Sequence, residues 1–314
     1  ITFGDHNYVD GKCEYCGEAD PDYNPIEKFS FMGTNMVLES SLAMQFAFAD
    51  THYADWTGFY AEIVKECADG ENVTKIIPSS EWEDRGAYFV VAYNGVAAKE
   101  MADNFYTTIY NAEGQAVSVT RTDSVRAYAR NTLNNSRSSE ALKAVIVDML
   151  NYGAAAQNYF GYNTGDLANN DLSEAEKALA SGIVEVSDSR VKGNYFLGSQ
   201  LALESNIVLT AAYQGVTSDM YAKAVYTDAR GEKVTVDCEL ELGKGYGAVN
   251  VTSLAIADYN CVVEMTVYKA DGTVYTSSTD SIASYVSRIT DAKLLVLGQE
   301  LAKFAESARA YFVK

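Results

Sequence analysis

The chain has few of the residues on which several functional classes depend. Only two of its 314 residues are histidines, His6 and His52, which removes most histidine-based catalysis. Lysine and arginine number 24 against 43 aspartates and glutamates, a formal charge of −19. A surface of that sign repels nucleic-acid backbones and anionic lipid headgroups, so neither is an expected partner. Proline occurs three times, which excludes proline-rich stalks and linkers. No apolar run nears the roughly 18 residues of a membrane-spanning helix, so membrane insertion is not expected either. Five cysteines are too few and too scattered for a disulfide framework. Cys67, Cys238 and Cys261 stand alone in apolar runs and read as reduced, buried thiols. Ile1 follows no signal-like segment, and the chain reads as an excised mature fragment.

What is abundant points to a globular chain. Hydrophobic residues are 48% and charged residues 21%, which excludes disorder. An internal repeat organises the chain. Phe31-Met32-Gly33 with Leu38-Glu39-Ser40 matches Phe196-Leu197-Gly198 with Leu203-Glu204-Ser205, 165 residues on. Tyr60-Ala61 matches Tyr221-Ala222, Tyr110 and Gly114 match Tyr268 and Gly272, and Asp123-Ser124 matches Asp280-Ser281. Tyr159-Phe160 matches Tyr311-Phe312, now 152 residues on. The matches keep their order while the offset shrinks, as for one duplicated domain with shorter loops in its second copy.

Each copy opens with β-type runs and closes with helices. Residues 41–48, 59–64, 87–93 and 105–110 form the first set of runs, and 208–213, 221–226, 233–242 and 262–268 the second. Asp69-Gly70, Asn94-Gly95, Glu113-Gly114, Arg230-Gly231 and Asp271-Gly272 are turn signals between them. Leu142, Val145, Met149, Tyr152, Ala156 and Tyr159 recur at helical steps, as do Leu294, Leu297, Leu301, Phe304, Ala308 and Tyr311. Ser124 and Ser281 suit helix caps. Residues 171–181 read as a linker helix opened by the capping box Ser173 and Glu176. The expectation is an α+β fold: two tandem copies of an antiparallel β-sheet or sandwich domain with C-terminal helices packed on it. The segments are 1–28, a Cys-x-x-Cys stretch; 29–170, the first repeat domain; 171–192, the linker helix; and 193–314, the second repeat domain.

His6, Cys13 and Cys16 resemble part of a zinc knuckle, in which a tight turn aims two thiolates at one tetrahedral ion. Asp5, Asp20 or His52 would complete a structural zinc site. A vicinal disulfide or a free dithiol fits the same cysteines. Asp20, Asp22 and Asn24 alternate as calcium ligands do, but Pro25 stands where that loop needs glycine, and a solvated acidic linker is the better reading. Gly243, Gly245 and Gly247 do not match the strand–turn–helix dinucleotide fingerprint and read as a hairpin. No nucleotide, zinc-protease or serine-hydrolase motif occurs. No catalytic role is expected for any residue.

The segment around Tyr53, Trp56 and Phe59, with Trp82, is the expected ligand-binding surface. The second copy has Thr217 and Met220 opposite Trp56 and Phe59, and Gly243 opposite Trp82. Since one copy builds its fold without these aromatics, they read as contact residues, either hot spots for a protein or stacking platforms for a sugar. Local burial of the same rings is the alternative.

The stretch Asp148-Met-Leu-Asn-Tyr-Gly-Ala-Ala-Ala-Gln-Asn-Tyr-Phe-Gly-Tyr162 is the most specific in the chain. Together with residues 97–103, Tyr110 to Gly114 and Ser124 to Tyr128, it resembles a repeat module of large cell-surface proteins of gut anaerobic Firmicutes, of the Lachnospiraceae and Ruminococcaceae type. The resemblance covers the first copy well; in the second, residues 297–312 depart from the alanine-rich helix. His6 to Gly17 is similar to the short Cys-x-x-Cys segments between such modules. The resemblance implies a non-catalytic, extracellular module, secreted or attached to the cell wall. Some surface proteins of these organisms bind host immunoglobulin variable domains; others hold dietary or mucin glycans. It assigns no binding residues. The function expected is an adhesin-like binding module for a host protein such as immunoglobulin. The alternatives are a carbohydrate-binding module and a spacer that projects other domains from the cell wall.

Overall fold

The structure is a computed structural model that describes residues 8–9, 12–13, 16–18, 28–38, 41–50, 52–53 and 55–313. Two compact units divide it. The first comprises Ile1–Asn35, Met44–Tyr93 and Asp103–Asp123; the second comprises Met36–Ala43, Asn94–Ala102 and Ser124–Lys314. These units do not follow the expected 29–170 and 193–314 segments, because the helices expected to close the first copy group with the second unit.

Ten strands come first along the chain. A two-residue pair, β1 (Tyr8–Val9) and β2 (Lys12–Cys13), precedes β3 (Phe29–Leu38), β4 (Leu42–Asp50), β5 (Tyr60–Glu66), β6 (Val73–Pro78), β7 (Glu83–Asp84), β8 (Phe89–Val96), β9 (Asn104–Tyr110) and β10 (Arg121–Asp123). β1 and β2 pair with each other, and the other eight form two four-stranded sheets, in the orders β3-β4-β8-β7 and β10-β9-β5-β6. Alternation along each strand explains the core: Met44, Phe46 and Phe48 of β4, Ala61 and Ile63 of β5, and Phe105 and Ile109 of β9 are buried on one face. Tyr93 of β8 meets Phe105 of β9 edge-on at 4.9 Å. The Asn111–Gln115 turn needs Gly114 at φ +77°, a backbone region open to glycine at no steric cost.

Three helices follow: α1 (Val125–Asn134), α2 (Glu140–Phe160) and α3 (Glu174–Lys177). Ser124 caps α1 by accepting from the Ala127 N–H, and Ser139 caps α2. Val145, Met149, Tyr152 and Ala156 are buried along α2 as the periodicity predicts. The linker helix is much shorter than expected. The Ser173–Glu176 capping box is present, but α3 is four residues long. The buried Asp148 carboxylate accepts from both the Ser181 N–H and its hydroxyl, at 2.9 and 2.6 Å, and these bonds hold the chain beyond α3 outside a helix.

Seven strands then make one antiparallel sheet: β11 (Phe196–Leu203), β12 (Ile207–Gln214), β13 (Tyr221–Thr227), β14 (Lys233–Gly243), β15 (Tyr246–Val251), β16 (Val263–Tyr268) and β17 (Val274–Asp280). Their order is β11-β12-β15-β14-β13-β16-β17. The long β14 pairs with β13 through its first half and with β15 through its second. Where β14 runs unbroken, the first set has β6 and β7 separated by the turn Ser79–Glu81. Apart from that break, the order β10-β9-β5-β6 corresponds to β17-β16-β13-β14, and β3-β4-β8-β7 to β11-β12-β15-β14.

Two helices end the chain, α4 (Ile282–Val286) and α5 (Ala292–Phe312). Ser281 caps α4 through the Ser284 N–H. Leu297, Leu301, Phe304 and Ala308 are buried along α5, and Phe304 stacks on Tyr152 of α2 at 6.0 Å. Arg288 ties several segments of this unit together. Its guanidinium donates to Asp188 and Asp280 at 2.7 Å each, and to the Ser284 and Ser199 hydroxyls. The fold is thus mixed, with antiparallel sheets and five helices among the described residues.

Candidate functional site

The four expected contact residues do come together. Asp50, at the end of β4, organises their loop: its carboxylate accepts from the backbone N–H groups of His52 and Tyr53 and from Trp56 Nε1 at 2.6 Å. The Trp56 carbonyl accepts from the Ser79 hydroxyl at 2.6 Å and from the Phe59 N–H at 3.0 Å. Trp82 follows the turn that separates β6 from β7, and its Nε1 donates to the Ile77 carbonyl at 3.1 Å.

The rings form a continuous cluster. Trp82 stacks on Phe89 at 4.4 Å, Trp56 packs on the same Phe89 at 4.9 Å, and Tyr53 meets Phe59 edge-on at 4.9 Å. Phe29 joins Tyr53, Phe59 and Phe89. Phe59 is 7% exposed and Trp82 9%, while Tyr53 and Trp56 are half-buried. Both indole N–H groups are satisfied within the unit. Phe59 and Trp82 therefore belong to the core, while Tyr53 and Trp56 keep part of their surface open. The lack of these aromatics at the matched positions of the seven-stranded sheet does not make them dispensable here, because the two connections differ: β14 is continuous where β6 and β7 are interrupted.

The half-exposed side of Trp56 borders a shallow depression of about 580 Å³, lined also by Asp55, Tyr60, Ile76, Pro78 and Ser79. Ile76 is 54% exposed beside it. Tyr60 stacks on Tyr110 at 5.1 Å with their planes 10° apart. Tyr60 and Ile76 escape a reading of the sequence, because their place beside Trp56 depends on the β5–β6 register, which sets Tyr60 opposite Pro78.

Of the expected metal ligands, Cys13 and Cys16 are described and His6 lies outside the described residues, as do Asp5 and Asp20. Cys13 ends β2 and is buried; Cys16 is exposed. The turn between them is closed by the Gly17 N–H on the Cys13 carbonyl and the Cys13 N–H on the Glu18 carbonyl, both 2.8 Å. A backbone hydrogen bond at Glu18 draws the Cys16 thiol down; the neighbouring Cys13 thiol and the remaining surroundings outweigh it, so the thiol stands above its usual range. The turn supplies two of the four ligands that a tetrahedral zinc needs, and no set of three metal-ligating side chains occurs among the described residues. Cys238 and Cys261 are half-buried, and burial pushes both thiols up to about 11, which keeps them protonated at neutral pH.

No described helix is long and apolar enough to cross a membrane. No family model matches the chain, and no curated protein does. Among solved structures, a tetra-tandem repeat in the extending region of a large adhesion protein aligns at 10% identity and a TM-score of 0.21, over 82% of this chain and 48% of that one. A pullulanase from Anoxybacillus sp. LM18-11 aligns as its maltotriose complex at 10% identity and a TM-score of 0.18, over 78% of this chain and 25% of that one. The same enzyme in a separate structure gives 9% and 0.19, with the same coverage. The chain thus spans about half or less of the length of these proteins, and likenesses this distant carry no argument about its activity.

Proposed function

We propose that this chain is a non-enzymatic, adhesin-like module of a bacterial surface protein, and that it acts chiefly as a projecting scaffold. The observation that carries this reading is the internal use of the aromatic cluster. Phe59 and Trp82 are buried, and both indole N–H groups are bonded to Asp50 and Ile77. Phe59 and Trp82, buried in this way, hold the unit together and are not free to seat a ligand, and the Trp56 indole is anchored by Asp50 with part of its surface left open. The matched strand orders support duplication of one domain, the arrangement expected of a module that adds length. The extracellular placement rests on the resemblance carried by residues 148–162. A structural zinc on His6, Cys13 and Cys16 belongs to the same proposal, supported by the Cys-x-x-Cys spacing on a tight backbone turn.

A chain that bears load should unfold in discrete steps when pulled from both ends by single-molecule force spectroscopy. Smooth extension without a step would sink the scaffold reading. A second reading keeps a protein ligand such as immunoglobulin. It is favoured by the patch of Trp56, Tyr60, Ile76 and Pro78, whose apolar surface has acidic Asp55 and polar Ser79 at its rim.

A further inference from the structure

The second unit carries a polar trough lined by none of the aromatic-cluster residues. It is a depression of about 650 Å³ on the outer face of β11, β12, β15 and β14. Register builds it. Gln200 lies opposite Thr210, Thr210 opposite Asn250, and Asn250 opposite Glu239, so one polar row crosses all four strands. The next row is Gly198, Ala212, Ala248 and Glu241, and its small residues deepen the floor. Leu209, Ala211, Val249 and Val251 on the opposite face are buried, which holds the strands beneath the trough rigid. Three strand spacings of about 4.8 Å give a row about 14 Å across, suited to an extended chain of units.

Two details show a face preorganised for a ligand. Thr210 Oγ1 donates to Asn250 Oδ1 at 2.8 Å, which orients the amide and leaves its N–H₂ for an incoming acceptor. Gly243 lies on the same face as Glu239 and Glu241, two residues further on, and a Cβ there would stand 2.2 Å from the Tyr246 ring. The missing side chain is what lets that ring lie down against the sheet, at one end of the trough, where Tyr246 is 42% exposed.

The lining selects the ligand's chemistry. Gln200 and Asn250 donate and accept, Glu239 and Glu241 accept only, and Tyr246 offers a ring face with a polar tip. The two carboxylates and the net charge of −19 repel anionic polymers. An apolar partner would bury the Gln200–Glu239 row without hydrogen bonds. A lysine- or arginine-rich peptide would satisfy the carboxylates, but its side chains only donate, so the amide donors would depend on its backbone carbonyls alone. Hydroxyl groups on a sugar both donate and accept. We propose that this trough binds a neutral polysaccharide, with Tyr246 stacked on a sugar ring and Gln200, Asn250, Glu239 and Glu241 bonded to its hydroxyls. The site is separate from the scaffold role and stands or falls without it.

Affinity electrophoresis in gels containing soluble starch, barley β-glucan, xylan or galactomannan tests this directly. At least one polymer should retard the chain, with dissociation constants raised at least tenfold in Tyr246→Ala and in Asn250→Ala. Melting temperatures should change little in both, since Tyr246 is exposed and the half-buried Asn250 bonds the Thr210 hydroxyl on the same outer face. Gln200→Ala serves as a third variant should either fail to fold, and Gly243→Ala should weaken binding by displacing the Tyr246 ring. Retardation by none of the four polymers overturns the proposal. So does retardation that the variants leave unchanged. Binding to an oligolysine peptide alone, lost in Glu239→Gln with Glu241→Gln, would assign the trough to a basic peptide instead.

Discussion

Truncating Trp82 to alanine should unfold the first unit at much lower denaturant. A buried tryptophan removes about 200 Å² from water. At about 25 cal/mol per Å² that is about 5 kcal/mol, an upper bound because the unfolded chain is not fully extended. Losing the indole N–H also strips the Ile77 carbonyl of its partner, a cost of about 1 kcal/mol. Partial collapse of Phe89 and Trp56 into the space offsets some of this, leaving an expected loss of about 3–5 kcal/mol. With a urea slope of about 2 kcal/mol/M, the midpoint should fall by about 2 M. The assay is unusually clean. Trp56 and Trp82 are the chain's two tryptophans and both sit in this cluster, so fluorescence reports the first unit, and Trp56 remains as reporter in the variant. Trp82→Phe keeps a ring over Phe89 and should cost about 1–2 kcal/mol. A midpoint shift under about 0.5 M for Trp82→Ala would refute the core assignment.

Other consequences follow from the second unit and from the N-terminal turn. Arg288→Ala leaves the Asp280 carboxylate, 1% exposed, without its counter-charge, and should cost about 3–5 kcal/mol in urea unfolding followed by circular dichroism. Asp188 is held down to about 2 by the Arg190 backbone N–H, then by Ser284 and Arg288. Its folded value is below its unfolded one, so its stabilisation is present above about pH 4 and is lost as pH falls through about 2. The group is nearly half exposed, so the effect is small and salt-screened; Asp188→Asn should flatten part of the fall in melting temperature between pH 4 and 2. Gly193→Ala places a Cβ 1.7 Å from the Ser277 carbonyl oxygen, a backbone atom that cannot swing away, and should destabilise by about 1–3 kcal/mol. Gly165→Ala, with nothing within 4 Å, is its control in the same melts and should stay near wild type. If the Cys13–Cys16 turn holds zinc, purified chain should carry about one equivalent by colorimetric assay after denaturation, and Cys13→Ser should carry none. A metal-free wild type refolded with zinc present would count against it.

Much of the fold is legible in the sequence because local rules decide it. The three- and four-residue spacing along 142–159 and 294–311 places α2 and α5, and the capping serines at 124 and 281 act as expected. Long-range pairing is less legible. The single run over 233–242 is legible, but nothing local announces that it pairs with β13 through its first half and β15 through its second and so joins seven strands in one sheet. Nor does it show that Gln200, Thr210, Asn250 and Glu239 fall in one row, since that row exists only once strand order and register are set. The shortness of α3 depends on Asp148, a residue 33 positions from its partner Ser181. The aromatic cluster illustrates the same limit. Residues 53, 56, 59 and 82 were identifiable as a group, but their direction was not, because it depends on acceptors at Asp50 and Ile77 and on the shared neighbour Phe89.

The measurement that bears most directly on the scaffold reading is a binding panel on the immobilised chain. Polyclonal immunoglobulin, its variable-domain fragments and mucin would be passed over wild type, Trp56→Ala and Trp82→Phe, with urea midpoints taken on each. A scaffold should give no saturable response that the tryptophan variants abolish while their midpoints stay near wild type. Saturable immunoglobulin binding, lost in Trp56→Ala at an unchanged midpoint, would contradict it and make the aromatic patch a contact surface.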